Sequence, residues 1–197
     1  MMGKKWEYYY GLQKKWYGVK EYLREVPWVK NLPHLLTFLN LTMGLCAIKF
    51  TFMGWYREAV ITILIGVALD YFDGKLARRL DASSEFGKQL DSLSDLVSFG
   101  VAPAVLCWII LPFEPFWLGI LLIIFLVCGA YRLARFNSAQ TNRSPKGKHF
   151  WGLPITVAGG FLTVASFHYY LFPLPLFYLL LPLLAAAMIS KISITPS

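Results

Sequence analysis

Charged residues are scarce in this chain of 197 residues, which has only 11 aspartates and glutamates. The charged fraction is 15%, whereas a soluble domain usually carries about a quarter. Cysteine is also rare: Cys46, Cys107 and Cys128 all lie in apolar runs, so they form neither a disulfide framework nor a metal-binding spacing. Residues 1–30 lack the apolar core of a signal peptide, and we expect none to be cleaved. The composition excludes a soluble globular domain and indicates an integral membrane protein.

Long apolar runs make up most of the sequence, and 57% of its residues are hydrophobic. A helix that crosses a membrane needs about 20 mainly apolar residues, and six runs approach or exceed this length. We therefore predict an all-α, polytopic membrane protein with six transmembrane helices. The predicted spans are residues 34–53, 57–78, 89–111, 116–136, 153–171 and 174–191.

The lysines and arginines predict the orientation of these spans. The chain has 19 lysines and arginines in total. All of them except Lys49 and Arg57 fall in the N-terminal segment, in the connections after spans two and four, or at Lys191. Basic residues favour the cytoplasmic side, so we expect both termini and the connection after span two to be cytoplasmic, in a protein of the cell membrane.

The N-terminal segment mixes tryptophans and tyrosines with basic residues. This composition suits an amphipathic helix in the headgroup plane, and a partly ordered basic tail is the alternative. We predict a cytoplasmic interfacial segment at residues 1–30 and a six-helix domain at residues 31–197. The net charge of +8 then reflects a membrane surface or an anionic ligand, and no nucleic-acid partner is expected.

Four aspartates interrupt the apolar pattern near this cytoplasmic side. Asp70 and Asp73 are three residues apart at the end of span two, and Asp91 and Asp95 are four apart at the start of span three. Each spacing places two side chains on one helix face. Because a short connection makes the two spans neighbours, we expect the four carboxylates to converge. They could be solvated helix-flanking residues, an ion pathway or a metal site.

A metal site explains the surroundings of these acids best. Converging carboxylates repel one another at low dielectric, and hard divalent cations accept oxygen ligands while leaving room for a substrate phosphate. Gly74, Ala77 and Gly87 leave space on the same faces, and Arg78 suits a phosphate group. We therefore predict a metal-bridged phosphate ester. A divalent cation transporter is the alternative from another class, although transporters tend to place such carboxylates near the midplane.

The complete pattern resembles the signature of the CDP-alcohol phosphatidyltransferase family. Eight fixed positions within residues 70–95 match it: Asp70, Asp73, Gly74, Ala77, Arg78, Gly87, Asp91 and Asp95. The resemblance implies six spanning helices, commonly in a homodimer, and release of CMP from a CDP-linked lipid by an alcohol. It implies a divalent metal as two ions per subunit, with Mg²⁺ or Mn²⁺ expected and Ca²⁺ an alternative.

The resemblance also implies roles for individual residues. Asp95 is the expected catalytic proton acceptor. The expected metal ligands are Asp70, Asp73, Asp91 and Asp95. The residues expected to bind the CDP-lipid are Thr37, Asn40, Asp70, Gly74, Ala77, Arg78, Ser84 and Gly87. For Thr37 and Asn40, hydrogen bonding between helices is the alternative.

Four further runs, residues 32–45, 91–104, 131–137 and 152–156, look like the membrane-bound phosphatidylserine synthase branch of the family. One departure is His34, where relatives commonly have asparagine. The branch implies L-serine as acceptor and CDP-diacylglycerol or CDP-archaeol as donor, with glycerol phosphate or inositol phosphate as alternative acceptors. An arginine fork suits the serine carboxylate, although arginines here could simply anchor a span end. The expected serine-binding residues are Lys88, Gln89, Arg132, Arg135 and Asn137.

Overall fold

The computed structural model describes the main chain of residues 27–80, 84–111, 115–141, 150–171, 175–190 and 193–194. It describes the side chains of residues 32–76, 84–111, 116–139, 152–169, 171 and 175–190. This part of the chain is almost entirely helical, as predicted. The predicted interfacial helix in residues 1–30 lies outside the described residues, apart from the main chain of its last four.

Seven α-helices form the described part of the fold. They are α1 (Pro27–Phe52), α2 (Tyr56–Leu80), α3 (Glu85–Asp95), α4 (Ala102–Ile110), α5 (Pro115–Thr141), α6 (Ile155–Phe167) and α7 (Pro175–Ile189). A π-helical segment, Leu96–Val101, joins α3 to α4 without a break, and a 3₁₀ turn, Tyr169–Leu171, follows α6. Two short strands, β1 (Phe150–Trp151) and β2 (Ser193–Ile194), pair antiparallel.

The third helical run begins earlier than the predicted start at Gln89. Ser84 caps α3, because its hydroxyl accepts a 2.9 Å hydrogen bond from the main-chain nitrogen of Gly87. Glu85 follows in the first turn, where a negative charge favours the helix dipole. In the sequence, a serine followed by an acidic residue indicates this helix start. The predicted start was later because it was based on the hydropathy pattern alone.

Three described helices are long and apolar enough to cross a membrane: Leu32–Phe52, Glu85–Ile110 and Phe116–Ala139. They coincide with the first, third and fourth predicted spans, and the chain is a membrane protein. Helix α2 has 25 residues but carries charges near both ends. Helices α6 and α7 are apolar but have only 13 and 15 residues.

Helix α1 packs along α2 and also contacts α3 and the π-helical segment, while α6 packs against α4 and α2. Glycines allow two of these close approaches. A Cβ atom at Gly159 in α6 would collide with the carbonyl of Phe99, and one at Gly44 in α1 would lie 2.8 Å from the Cα atom of Ser98. Small residues allow helix backbones to approach closely in this way. The π-helical segment is therefore held between α1 and α6.

Candidate active site

Helices α2 and α3 bring three carboxylates together. One carboxylate oxygen from each of Asp70, Asp91 and Asp95 lies within 4.8 Å of the others. Asp95 is buried, whereas Asp70 and Asp91 are half-buried. The cluster thus has one side that is open to a ligand and one side that is closed by protein.

Asp73 lies next to this cluster rather than within it. Its side chain is buried, and the Thr37 hydroxyl donates to its Oδ2 atom at 3.3 Å. The same hydroxyl lies 3.0 Å from the carbonyl oxygen of Pro33. Asp73 is nevertheless close enough to Asp70 and Asp91 for their charges to repel it. Its predicted role as a metal ligand stays a prediction.

Helix α1 holds α3 in place through buried polar contacts. Ser94 donates to the carbonyl oxygen of Thr37 at 3.1 Å, and Ser98 donates to that of Asn40 at 2.9 Å. The side-chain nitrogen of Asn40, Nδ2, donates to Asp95 Oδ1 at 3.4 Å. These contacts fix the face of α3 that carries Asp95. Thr37 and Asn40, which we expected at the nucleotide, are engaged with aspartates in this structure.

A side chain of α6 contacts Asp70, another aspartate of the cluster. The hydroxyl of Thr156, in the first turn of α6, donates to Asp70 Oδ2 at 3.1 Å. The acids of α2 and α3 are therefore bonded by side chains from two further helices, α1 and α6.

The chemistry of these carboxylate oxygens fits a divalent cation. Carboxylates that repel one another in a partly buried site favour a positive charge between them, and their oxygens are hard ligands. The Asn40 side-chain oxygen is also buried and has no hydrogen-bond partner in the described part of the chain. Arg132 attracts Asp95 and Asp70 electrostatically, but a single guanidinium does not neutralise four acids.

The other residues expected at the CDP-lipid lie along the same faces. Gly74 is half-buried and follows Asp73 in α2. A Cβ atom at Gly87 would lie 2.6 Å from His34 Cε1, so the imidazole covers this glycine. The Ser84 hydroxyl is engaged in the helix cap. Ala77 and Arg78 belong to α2, but their side chains lie outside the described residues.

Three of the expected serine-binding residues form local contacts. Lys88 forms a 2.9 Å ion pair with Glu85. Asn137 in α5 donates to Ser92 Oγ at 2.9 Å and to Gln89 Oε1 at 3.5 Å. These contacts connect α5 to α3 beside Asp91, so a ligand there would lie near the carboxylate cluster.

The two expected serine-binding arginines have different surroundings. Arg135 donates to the carbonyl oxygens of Ile189 at 3.0 Å, Ser190 at 3.3 Å and Met188 at 3.5 Å, at the end of α7. Arg132 instead lies near the acids, and its Nε atom is buried without a hydrogen-bond partner among the described residues. A donor in that position is suited to an anionic ligand group.

Four polar residues of this region escaped sequence reasoning: His34, Ser94, Ser98 and Thr156. Ser94 and Ser98 are four residues apart, so they share one helix face. This spacing could have predicted that both serines contact the same neighbouring helix, α1. His34 was noted only as a departure from relatives, and Thr156 only as part of a run resembling them. No local pattern links Thr156 to Asp70, because the two are 86 residues apart.

Comparison with known proteins identifies the class. Residues 30–194 match the family described as CDP-alcohol phosphatidyltransferase. The match covers most of the chain, including the carboxylate cluster and every described helix except the first three residues of α1. The chain belongs to the CDP-alcohol phosphatidyltransferase family.

Individual relatives narrow the comparison. The chain is 40% identical over 139 residues to CDP-diacylglycerol–serine O-phosphatidyltransferase of Bacillus subtilis, a match covering 70% of this chain and 76% of that one. It is 40% identical over 143 residues to archaetidylserine synthase of Methanothermobacter thermautotrophicus, covering 70% and 57%. It is 42% identical over 129 residues to CDP-diacylglycerol–serine O-phosphatidyltransferase of Methanocaldococcus jannaschii, covering 66% and 56%. The chain thus spans less than two thirds of these two archaeal proteins.

Proposed function

We propose that this chain transfers a phosphatidyl or archaetidyl group from a CDP-linked lipid to L-serine and releases CMP, as a step of phospholipid biosynthesis. The observation that carries the proposal is the cluster of Asp70, Asp91 and Asp95 in a chain whose relatives are named for this transfer. The donor is CDP-diacylglycerol or CDP-archaeol, and both are consistent with the relatives.

The reaction exchanges one phosphorus–oxygen bond for another. The serine hydroxyl oxygen attacks the phosphorus that carries the lipid, the bond from that phosphorus to CMP breaks, and the hydroxyl proton passes to a base. We assign this base to Asp95, which is buried and oriented by the amide of Asn40. A carboxylate fixed in one orientation accepts a proton more effectively than one that rotates freely.

Asp70, Asp73, Asp91 and Asp95 would hold the divalent metal, as two Mg²⁺ or Mn²⁺ ions or as Ca²⁺. When bound, the metal neutralises negative charge on the diphosphate and on the departing CMP. The chain's own part is to hold the acids at a fixed separation by contacts from α1 and α6. Gly74, Ala77, Arg78, Ser84 and Gly87 remain proposed contacts of the nucleotide diphosphate.

For the serine carboxylate we favour Arg132 over Arg135. Arg132 lies near the acids with an unsatisfied Nε atom, while the Arg135 guanidinium donates to carbonyls at the end of α7. Lys88, Gln89 and Asn137 remain proposed serine contacts beside it. The role of Arg135 at serine stays a prediction, and variants of the two arginines can separate these assignments.

We also propose that the chain crosses the membrane six times, with the acidic end and both termini in the cytoplasm. Three helices have the length and hydropathy of spans, and the basic residues favour the same end as the acids. Helix α6 rises about 20 Å at 1.5 Å per residue, against a hydrocarbon core of about 30 Å. The 3₁₀ turn after α6 would extend this span.

The homodimer, the interfacial role of residues 1–30 and their division from the domain at residues 31–197 are proposals that rest on the family resemblance and the composition. Crosslinking in native membranes would test the dimer. Deletion of residues 1–26, with membrane binding and activity measured, would test the N-terminal segment.

A head-group panel tests the proposed reaction. Purified protein is mixed with CDP-diacylglycerol or CDP-archaeol, Mg²⁺ or Mn²⁺, and serine, glycerol phosphate or inositol phosphate. We expect CMP release and a serine phospholipid only with serine, and no release after chelation by EDTA. Product formation with another alcohol would reassign the acceptor. Metal transport into vesicles without any CMP release would instead favour a transporter.

A further inference from the structure

Three aspartates in and beside the carboxylate cluster each accept a hydrogen bond from a third helix. Thr37 and Asn40 of α1 bond Asp73 and Asp95, and both were candidates from the sequence. Thr156 of α6, which has no role assigned above, bonds Asp70. We infer that Thr156 is a positioning residue that holds the Asp70 carboxylate in the orientation needed for cation binding, an inference that rests on the proposed function.

The position of Thr156 is set by the main chain around it. Gly152, three residues before α6 begins, has a φ of +83° and lies directly against the carbonyl of Met188 at the end of α7. The nitrogen of Leu153 donates to the carbonyl oxygen of Ala187 at 3.0 Å. Since α6 begins at Ile155, these contacts fix its first turn, and Thr156 with it.

The hydroxyl of Thr156 is available because of where the residue stands in its helix. Inside helices, threonine commonly donates to the carbonyl four residues earlier. Of the five other threonines with described side chains, four do so: Thr42, Thr51, Thr62 and Thr163. The fifth, Thr37, lies 3.0 Å from the carbonyl oxygen of Pro33 and donates to Asp73. For Thr156 the residue four earlier is Gly152, which is not helical. The hydroxyl instead reaches across to α2.

Asp70 needs such a contact because of its neighbours. Its carboxylate lies within 4.8 Å of oxygens from Asp91 and Asp95, and repulsion favours rotation of Asp70 away from them. A hydrogen bond to Oδ2 opposes that rotation and still allows the carboxylate to bind a cation, since a carboxylate accepts several bonds. Groups that orient a ligating side chain typically change metal affinity about 10- to 100-fold when they are mutated.

The test compares Thr156→Val, which keeps the shape of the side chain and removes the hydroxyl, with Thr156→Ser, which keeps the donor. Thr163→Val is the matched control, because Thr163 is a buried threonine of the same helix whose hydroxyl donates only within α6. Binding of Mn²⁺ to the full-length protein in detergent, without substrate, is measured by electron paramagnetic resonance of the free ion.

We expect Thr156→Val to weaken Mn²⁺ binding about 10-fold or more, Thr156→Ser to restore it to within about threefold, and Thr163→Val to leave it unchanged even if its melting temperature falls. Equal affinity for wild type and Thr156→Val, equal losses in both valine variants, or no Mn²⁺ binding by wild type would overturn the inference. If Thr156→Val does not fold, Thr156→Ala replaces it in the same comparison. Mn²⁺ binding that follows the expected order without CMP release would refute the proposed function and leave this inference standing.

Discussion

The polar side chains at the two ends of the helix bundle form hydrogen bonds of different kinds. At the acidic end, the side chains that contact the aspartates bond between helices, as in Thr37–Asp73, Asn40–Asp95 and Thr156–Asp70. Toward the opposite end, Thr51, Thr62 and Thr163 donate to carbonyls of their own helices.

In a membrane protein, a hydroxyl bonded within its own helix leaves the packing between helices to van der Waals contact. A hydrogen bond between helices adds a direction to that contact. The difference between the two ends indicates that this chain uses directional contacts where it must aim carboxylates, and shape complementarity elsewhere. Four predictions test that division, in order of decreasing expected effect.

The largest effect is expected for Asp95→Asn. Asparagine keeps the size of the side chain but cannot accept the serine proton, so turnover should fall about 10²- to 10⁴-fold. Binding of the CDP-lipid, measured by titration without serine, should persist. Full turnover by this variant would remove Asp95 as the base.

The second prediction separates the two arginines of α5. Arg132→Gln should raise the KM for serine about 10-fold or more while changing the KM for CDP-lipid little, because the guanidinium faces the acids. Arg135→Gln is the comparison, and it should lower the melting temperature without a selective effect on serine, since the Arg135 guanidinium donates to main-chain carbonyls at the end of α7. A serine-selective defect in Arg135→Gln alone would reverse our assignment.

The third prediction tests shape complementarity with adjacent glycines of α6. Gly159→Ala should destabilise the fold by about 1–3 kcal/mol through overpacking, because its Cβ atom would meet the carbonyl of Phe99. Gly160→Ala is the control: its nearest neighbour would be Val67 Cγ2 at 3.8 Å, and alanine favours a helix. Thermal melting in detergent distinguishes them, and equal melting temperatures would contradict the close packing.

The smallest effect is expected for Asn40→Ala. Its 3.4 Å hydrogen bond to Asp95 is long, so we expect a loss corresponding to about 0.5–1.5 kcal/mol, seen mainly in kcat. Thr51→Val serves as the control, because Thr51 is equally buried in the same helix but bonds only within it. A comparable loss of kcat in Thr51→Val would remove the distinction between the two ends.

The sequence predicted what depends on local spacing. Residues three or four apart share a helix face, and this rule with a short connection was enough to expect carboxylates from two helices to meet. The structure places Asp70, Asp91 and Asp95 together, with Asp73 beside them and bonded to Thr37. The all-helical fold class and three of the membrane spans were also predicted from hydropathy, because hydropathy depends only on the residue composition of a short stretch of sequence.

Contacts between distant segments could not be predicted in this way. The bond from Thr156 to Asp70 and the bonds from Arg135 to the end of α7 depend on how separate helices pack, and no periodicity encodes that arrangement. The π-helical segment Leu96–Val101 likewise has no proline or charge that distinguishes it from an ordinary apolar helix.

That π-helical segment has a consequence for the direction of the acids. It follows Asp95 directly and connects α3 to α4, and a π-turn contains about one residue more than an α-turn. Because the extra residue adds no net rotation, deleting one residue would allow one continuous α-helix with Asp91 and Asp95 on nearly the same side relative to α4. Forcing all six residues of the segment into α geometry would instead rotate the two carboxylates by about 100° around the axis, the angle that one residue contributes. The π-helical geometry between Asp95 and α4 therefore sets the side of the helix on which the carboxylates lie, whatever side chains fill the interval.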